Sequence, residues 1–420
     1  MDGLIQDIKL IGEEIPWLKE IRAKGRNAFI KQGIPTPKTE AWKYTKPNRF
    51  FETPFSYTPS NLISISSNIK LPFDCYQINF TNGVFNPFTS SLPQGIEVMP
   101  IIEAIMFTPK VREKISNIAK VDENPFVALN TGYLNEGVYI HISSNVDIKK
   151  PLAIVYETLC TDRNDMYNLR NLIHVEKNSS VQIVEAFYYE GKVKSSYFMN
   201  VVNEIYLEEN SQLKHYKIQD EAFKAAHIAF NAVKVEDNAS YKSFCLQKGA
   251  DMARNESYVE LSEKGAHATV DSAYIMNGWA TIDTTTNINH LKPYTTSSQL
   301  VKGVVGGQAK GVFQGKIHIS PNAVKTEGYQ LHKAMLLTDE AEVDVKPELE
   351  IFADDVKCSH GSACGELDKE QLFYMQSRGI SEDEAKQMLI EAYLNDVIAK
   401  VDDEKIIEWI KLSLNSNKSE

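Results

Sequence analysis

A short phrase recurs through the middle of this 420-residue chain at a spacing that few folds can use. It runs from an apolar residue through an acid to an Asn or Gly, then a small residue and a second apolar one. It stands as V-E-K-N-S-S-V (175–181), L-E-E-N-S-Q-L (207–213) and V-E-D-N-A-S-Y (235–241), with a looser copy in L-S-E-K-G-A-H-A (261–268). The turn residues Asn178, Asn210, Asn238 and Gly265 are separated by 32, 28 and 27 positions (210−178, 238−210, 265−238). Asn145 lies 33 before the first (178−145), and Asn322 lies 57 after the last (322−265), close to two periods. Strand-like runs flank each turn, and Asn and Gly tolerate the left-handed backbone that a sharp corner needs. A period of about 30 with strands on both sides of a corner is the pattern of a solenoid of β-coils. A β-sandwich competes, but its turns come at closer and less constant intervals. The expected fold is mainly β: a parallel β-helix core at 126–357, an N-terminal helical and α+β region at 1–125, and a C-terminal helical domain at 358–420.

The flanks read differently. Ile5, Ile8, Leu10 and Ile11 lie near helical spacing, as do Trp17, Ile21, Ala28 and Phe29. Gly33-Ile34-Pro35-Thr36-Pro37 breaks that pattern. The next phrase, K-T-E-A-W-K-Y-T (38–45), reads as a loop pinned by Trp42 and Tyr44 in preference to a catalytic segment. Short strands (76–80) and a helix-like piece (101–118) follow, with Asn82-Gly83 as a hairpin turn. Beyond Gly365, Asp368 can cap a helix whose third residue is Gln371, and Gly379 stops it. Ser381 and Glu384 form a capping box. Ala385, Met388, Leu389, Ala392 and Tyr393 then recur at helical spacing, followed by Ile406, Ile407, Trp409 and Ile410. Such helices cap a solenoid or dock a partner, and the residues alone favour the cap. The polar tail 413–420 reads as frayed.

The densest chemistry lies at 349–365, L-E-I-F-A-D-D-V-K-C-S-H-G-S-A-C-G. Leu349, Ile351 and Ala353 alternate as in a half-buried strand. Cys358, His360 and Cys364 then fall in a stretch punctuated by Gly361 and Gly365, where turns are expected. Thiolate and imidazole are ligands that suit iron, zinc or copper. Lys357 and His360 are near enough in sequence to lower a cysteine's pKa. The spacing C-x-H-x3-C completes no zinc pattern, so a strand end with a buried cysteine and a hydrogen-bonded histidine explains it equally well. His174, His215, His267 and His318 lie beside strand-like sequence and read as packed or face-exposed residues. Cys160 and Cys245 read as small core hydrophobes. The run K-G-V-V-G-G-Q-A-K-G-V-F-Q-G-K-I-H-I (302–319) fits neither a dinucleotide loop nor a P-loop. Its glycines suit tightly stacked coils.

Composition removes several classes of function. The balance of 45 basic and 56 acidic residues, −11 in all, disfavours a nucleic-acid or anionic-membrane binder. No window is long and apolar enough to span a membrane. Acids stand near the first residue where a signal peptide carries bases. Five scattered cysteines fit a reducing, cytoplasmic setting.

Three phrases resemble the SufB/SufD family of iron–sulfur cluster assembly scaffolds. They are G-I-P-T-P-K-T-E-A-W-K-Y-T (33–45), K-G-V with G-V-F-Q-G-K-I (302–317), and A-D-D-V-K-C-S-H-G followed by L-D-K-E-Q-L-F-Y-M-Q-S-R-G-I (353–361 and 367–380). The wording C-S-H-G at 358–361 sides with the SufD branch, because SufB members carry a cysteine and a glutamate there. The resemblance implies a β-helix core and pairing with SufB through the two β-helices. It implies docking of the SufC ATPase on the C-terminal helices, which puts forward Met388, Leu389, Ala392 and Tyr393 as partner contacts. It implies a transient iron–sulfur cluster at the SufB interface, with His360 as ligand and the residue acting in assembly, and Cys358 as the secondary candidate. Ser362, Ala363 and Cys364 depart from the Ala-Thr-apolar wording of relatives, so no role for Cys364 follows. Some family complexes hold a flavin, for which no motif stands here. On this reading the chain is a scaffold subunit and not an enzyme, with no ATPase motif of its own. Whether the isolated chain forms a homodimer in place of the SufB pairing stays open. Three alternatives stay open: an adaptor that only stabilises SufB and recruits SufC, a SufB-type scaffold, and a carbohydrate-acting β-helix protein. The last needs clustered carboxylates, and Asp354 and Asp355 on a strand would point to opposite faces.

Overall fold

The structure is a computed structural model that describes residues 5–6, 9–52, 54–56, 69–86, 92–159 and 161–416. Cys160, Ile8 and the end of the polar tail (417–420) lie outside the described residues.

The middle of the chain is a β-solenoid of about eight turns. Each coil gives one strand to each of two sheets. In the first sheet Asp165–Val175, Tyr197–Leu207, Ala225–Val235, Met252–Leu261, Thr281–His290, Lys310–Ile319 and Glu342–Ile351 follow in parallel register. The second runs from Leu152–Leu159 through Ser180–Glu190 to Thr326–Leu336 and Val356–Glu366. Parallel strands buried on both faces need near-continuous apolar runs, and Tyr197–Leu207 (YFMNVVNEIYL) is buried throughout. The helical region and the C-terminal helices supply the outer covers.

The corners explain the repeat. Asn145, Asn178, Asn210, Asn238 and Gly265 all have left-handed backbones, with φ of 61°, 57°, 57°, 52° and 70°. The asparagine side chains stack into a ladder, Asn210 donating to Asn178 and Asn178 to Asn145, each at 3.0 Å. Each corner amide also donates to the next coil: Asn178 to the carbonyl of Glu209, and Asn210 to that of Asp237. Asn322 lies in the corresponding turn, closed by the Ala323 amide on the Ser320 carbonyl, but it does not adopt the left-handed backbone. The ladder continues through Tyr294 (φ 60°) and Lys325 (φ 59°), whose amides donate to Val324 and Asp355. The steps are 29 and 31 residues (294−265, 325−294).

The expected helix around Ile5 to Ile11 gives way to a short strand, Ile5–Gln6, paired with Phe55–Ser56. The first helix is Pro16–Gln32, with proline at its start. It crosses the helix Pro125–Gly132 so closely that a Cβ on Gly25 would lie 2.4 Å from the amide nitrogen of Gly132. The helix-like piece at 101–118 is two helices, Ile101–Phe107 and Pro109–Lys114, because Pro109 cannot continue the first. Asn82 and Gly83, both at positive φ, close the hairpin between Tyr76–Thr81 and Val84–Asn86. The phrase at 38–45 is pinned as its composition suggests: Trp42 is buried over the Arg254 guanidinium at 4.3 Å, and Thr45 donates to Asp283. Tyr44 is only half-buried.

The final strand, Val356–Glu366, runs across the expected boundary at 357/358, and helices begin at Lys369. Asp368 caps Lys369–Ser377 and Ser381 caps Glu382–Ile398, as the sequence indicates. Ala385, Leu394, Val397 and Ile398 bury the second of these helices. Trp409 of the last helix, Glu404–Asn415, is buried and donates to Tyr188 at 2.9 Å.

Candidate functional site

The Cys–His stretch is a strand, not a turn. In a strand successive side chains alternate, so Cys358, His360, Ser362 and Cys364 share one face. They sit in register with Gly328, Gln330, His332 and Ala334 of the neighbouring strand. Gly361 and Gly365 do not adopt positive φ. The strand closes its sheet, so one edge is bonded to Thr326–Leu336 and the other is free among the described residues. Glu342–Ile351 likewise ends the first sheet. The solenoid is therefore uncovered at this end, where Tyr329, Leu331, Ile351 and Phe352 are exposed.

His360 is exposed and, among the described residues, has no hydrogen-bond or ion-pair partner. Its imidazole is free to ligate. Cys358 is half-buried and packs against a small apolar cluster of Ile317, Ile319, Ala323 and Ala353. Burial raises its thiol pKa, only partly offset by the Gly328 amide. Cys364 is exposed, and its thiol is also raised by partial burial. Lys357 does not activate either thiol: it lies on the opposite face and pairs with Glu327 at 3.0 Å. Both cysteines are unpaired thiols that need a metal or an incoming cation to become thiolates. Cys358, His360 and Cys364 do not bring three ligand atoms together within this chain. A complete coordination shell needs donors from outside it.

Asp354 and Asp355 lie in the corner before this strand, and Asp355 pairs with Lys325. His215 and His267 are packed and hydrogen-bonded, while half-buried His318 pairs with Glu350 on the surface. Cys245 is buried, which pushes its thiol up to about 11.

The four helical residues expected to touch a partner divide. Met388 and Ala392 are exposed and Leu389 is half-buried. Tyr393 is fixed to the solenoid: the Lys302 ammonium lies 4.2 Å from its ring centroid and donates to its carbonyl at 2.6 Å. Sequence reasoning missed Phe373 and Tyr374, the most exposed aromatics of the helix Lys369–Ser377, which buries no residue at all. With Met375 and Leu389 they line an apolar groove between the helices. The signal was the adjacent pair F-Y, which cannot both lie on one buried helix face.

Comparison with known proteins gives the frame for these features. Residues 158–393 match the family model described as SUF system FeS cluster assembly, SufBD core domain. Residues 6–154 match the SufBD protein N-terminal region. An iron–sulfur cluster assembly SufBD family protein of Synechocystis is 28% identical, over 88% of this chain and 84% of its own length. The iron–sulfur cluster assembly protein SufD of Escherichia coli is 26% identical, over 91% and 89%. SufD of Bacillus subtilis is 27% identical, over 96% and 94%. No helix among the described residues is long and apolar enough to cross a membrane. With more than half of the chain matched by the core model and most of the rest by the N-terminal one, the chain belongs to the SufB/SufD family of iron–sulfur cluster assembly proteins.

Proposed function

We propose that this chain is a SufD-like scaffold subunit that pairs with SufB through the open end of its solenoid and presents His360 to a nascent iron–sulfur cluster. The observation that carries this reading is the free edge strand Val356–Glu366, on which an unpartnered imidazole stands beside a thiol. A cluster held between two chains loses part of its coordination shell when they separate, which suits a product that must be handed on. Cys358 is the secondary ligand, because burial keeps its thiol protonated until a metal displaces the proton. The SufC ATPase docks on the C-terminal helices, where Met388, Leu389 and Ala392 are joined by Phe373 and Tyr374; Tyr393 holds the helix in place. Energy comes from SufC, and the chain itself acts as a non-enzymatic scaffold in a reducing, cytoplasmic setting that leaves its thiols free. The cluster is cargo, and no residue here argues for a flavin.

The test is anaerobic reconstitution of the complex with SufB and SufC, comparing wild type with His360→Ala and Cys358→Ala. Loss of cluster absorbance from an intact His360→Ala complex is the expected result. Undiminished cluster yield would make the chain an adaptor that only stabilises SufB and recruits SufC.

A further inference from the structure

A second group of ligating side chains lies at the opposite end of the solenoid, on the outer face of the first sheet. His141 (strand Val138–Ile142) and His174 (strand Asp165–Val175) are direct register partners. Glu97 sits opposite His141 on the antiparallel strand Ile96–Pro100. Glu176 and Glu208 follow immediately after their strands. One donor atom each from His141, His174 and Glu176 falls within 4.8 Å of the other two. His141 Nε2 is already 3.1 Å from Glu176 Oε1. An ion with bonds of about 2.0–2.2 Å holds its donors roughly 3 to 3.5 Å apart, so the side chains need close by only about an ångström.

The surroundings are those of a ligand set. His174 is 1% exposed, keeps Nε2 on Glu208 at 2.7 Å, and leaves Nδ1 buried without a partner. A buried nitrogen with no hydrogen bond is costly unless something binds it. Each imidazole has a carboxylate behind it, Glu208 for His174 and, at 3.7 Å, Glu97 for His141. Such carboxylates fix the tautomer and orientation of metal-bound histidines. The second oxygen of Glu176 accepts from the Ser144 amide at 3.1 Å, which leaves Oε1 directed at His141. Burial, then the charge of Lys114, holds the His174 imidazole below its ordinary pKa. Glu97, Glu176 and Glu208 place three carboxylates around the two imidazoles, a charge that suits a dication.

We propose that His141, His174 and Glu176 bind one divalent first-row transition ion. The two imidazoles and one carboxylate leave open positions, a set suited to iron(II), zinc or cobalt(II) and not to calcium or magnesium. His141 binds through Nε2, His174 through Nδ1 and Glu176 through Oε1, with Glu97 and Glu208 receiving the N–H of the opposite ring nitrogens. The donors hang from adjacent strands of one rigid sheet, so little ordering is required on binding. The proposal does not depend on the function assigned to the far end of the molecule.

The test uses the untagged, chelator-treated full-length chain, titrated calorimetrically with zinc(II) and spectroscopically with cobalt(II). Expected are one ion per chain, visible cobalt bands, and a metal-dependent rise in Tm. His141→Ala and Glu176→Gln should abolish all three, and both side chains are exposed enough for the variants to fold, which the Tm without metal confirms. Glu97→Gln and Glu208→Gln should weaken binding by roughly 10–100-fold. The double variant Cys358→Ala/His360→Ala should bind as wild type does. Absence of binding by the wild-type chain would overturn the proposal, and so would binding that survives His141→Ala and Glu176→Gln or disappears with Cys358 and His360.

Discussion

Arg254 has no exposed surface, yet it carries a charge. Its guanidinium bonds Asp283 at 2.5 Å and Glu256 at 3.0 Å beneath the Trp42 ring. Asp283 also receives Thr45 and Thr285. A single residue therefore ties the 38–45 loop to two coils. Removing one member of a buried pair strands the other charge and costs about 3–5 kcal/mol. Arg254→Ala should lose that much in urea unfolding, with Trp42 emission shifted to the red. His332 makes a different test. It stacks on Phe313, 5.1 Å between ring centroids, and bonds the Tyr274 hydroxyl at 2.9 Å. Burial pushes its pKa down to about 4. The unfolded chain takes up the proton near pH 6.5 while the fold refuses it, so stability is full above that pH and is lost as pH falls toward 4. By pH 5 the loss from this one residue is about 2 kcal/mol. Burial of Glu136 and Asp271, carboxyls pushed up to about 7 and 6, acts in the opposite direction but equally in wild type and variant. His332→Gln should therefore flatten the fall of Tm between pH 7 and pH 5, whatever it does to Tm at pH 7.

At the scale of the coil, the corner matters more than the strand. Asn210 holds φ near 57° and donates to Asn178. A β-branched side chain there pays roughly 1–2 kcal/mol for the left-handed backbone, whereas glycine does not. Asn210→Val should lower the urea midpoint by that amount and Asn210→Gly by much less, since the ladder bonds are exposed. The corners also show how far the sequence could be read. Asn145 to Gly265 announce themselves because their residue types favour the conformation they adopt. Tyr294 and Lys325 do the same work with side chains that carry no such signal, so the nearby Asn322 drew attention instead. The interior was less legible still. The ladder of Asn171, Asn203 and Asn231, with Glu185 and His215 beside it, lies among apolar residues between the sheets. Nothing in period-2 patterning separates an inward asparagine from an outward one. Likewise, Cys358 and His360 were visible as chemistry, but two glycines suggested a turn where the register of a neighbouring strand imposes extension. The His141–His174 pair was invisible for a simpler reason: 33 residues separate partners that one coil brings side by side (174−141).

At the scale of the whole molecule, the two ends of the solenoid differ. The first end is closed by the N-terminal strands and helices. The last leaves two strands of ten and eleven residues whose outer edges are free among the described residues, a surface that isolated proteins avoid because it templates pairing with another chain. The ladder shows which groups are offered. Leu367 donates to Leu336, and the carbonyl of Asp355 accepts from Lys325, so odd-numbered residues face the bonded side. Alternation then turns the backbone amides of Cys358, His360, Ser362 and Cys364 toward the free edge, beside the side chains proposed to meet the cluster. If a partner adds its own strand there, removing one outward amide must weaken the complex without disturbing the coil behind it. Ser362→Pro does this: proline is tolerated at a sheet edge when the lost N–H faces outward. The expected result is a Tm within a few degrees of wild type and at least a tenfold weaker association with SufB by light scattering after gel filtration, with the same loss for any homodimer of the isolated chain. Unchanged association would mean that the partner covers the exposed face, with Tyr329 and Leu331 as its anchors, and leaves the edge unpaired. His360 would then meet the cluster from the rim of the interface, where solvent and sulfur donors could reach it, and not from within a sheet continuous across the two chains.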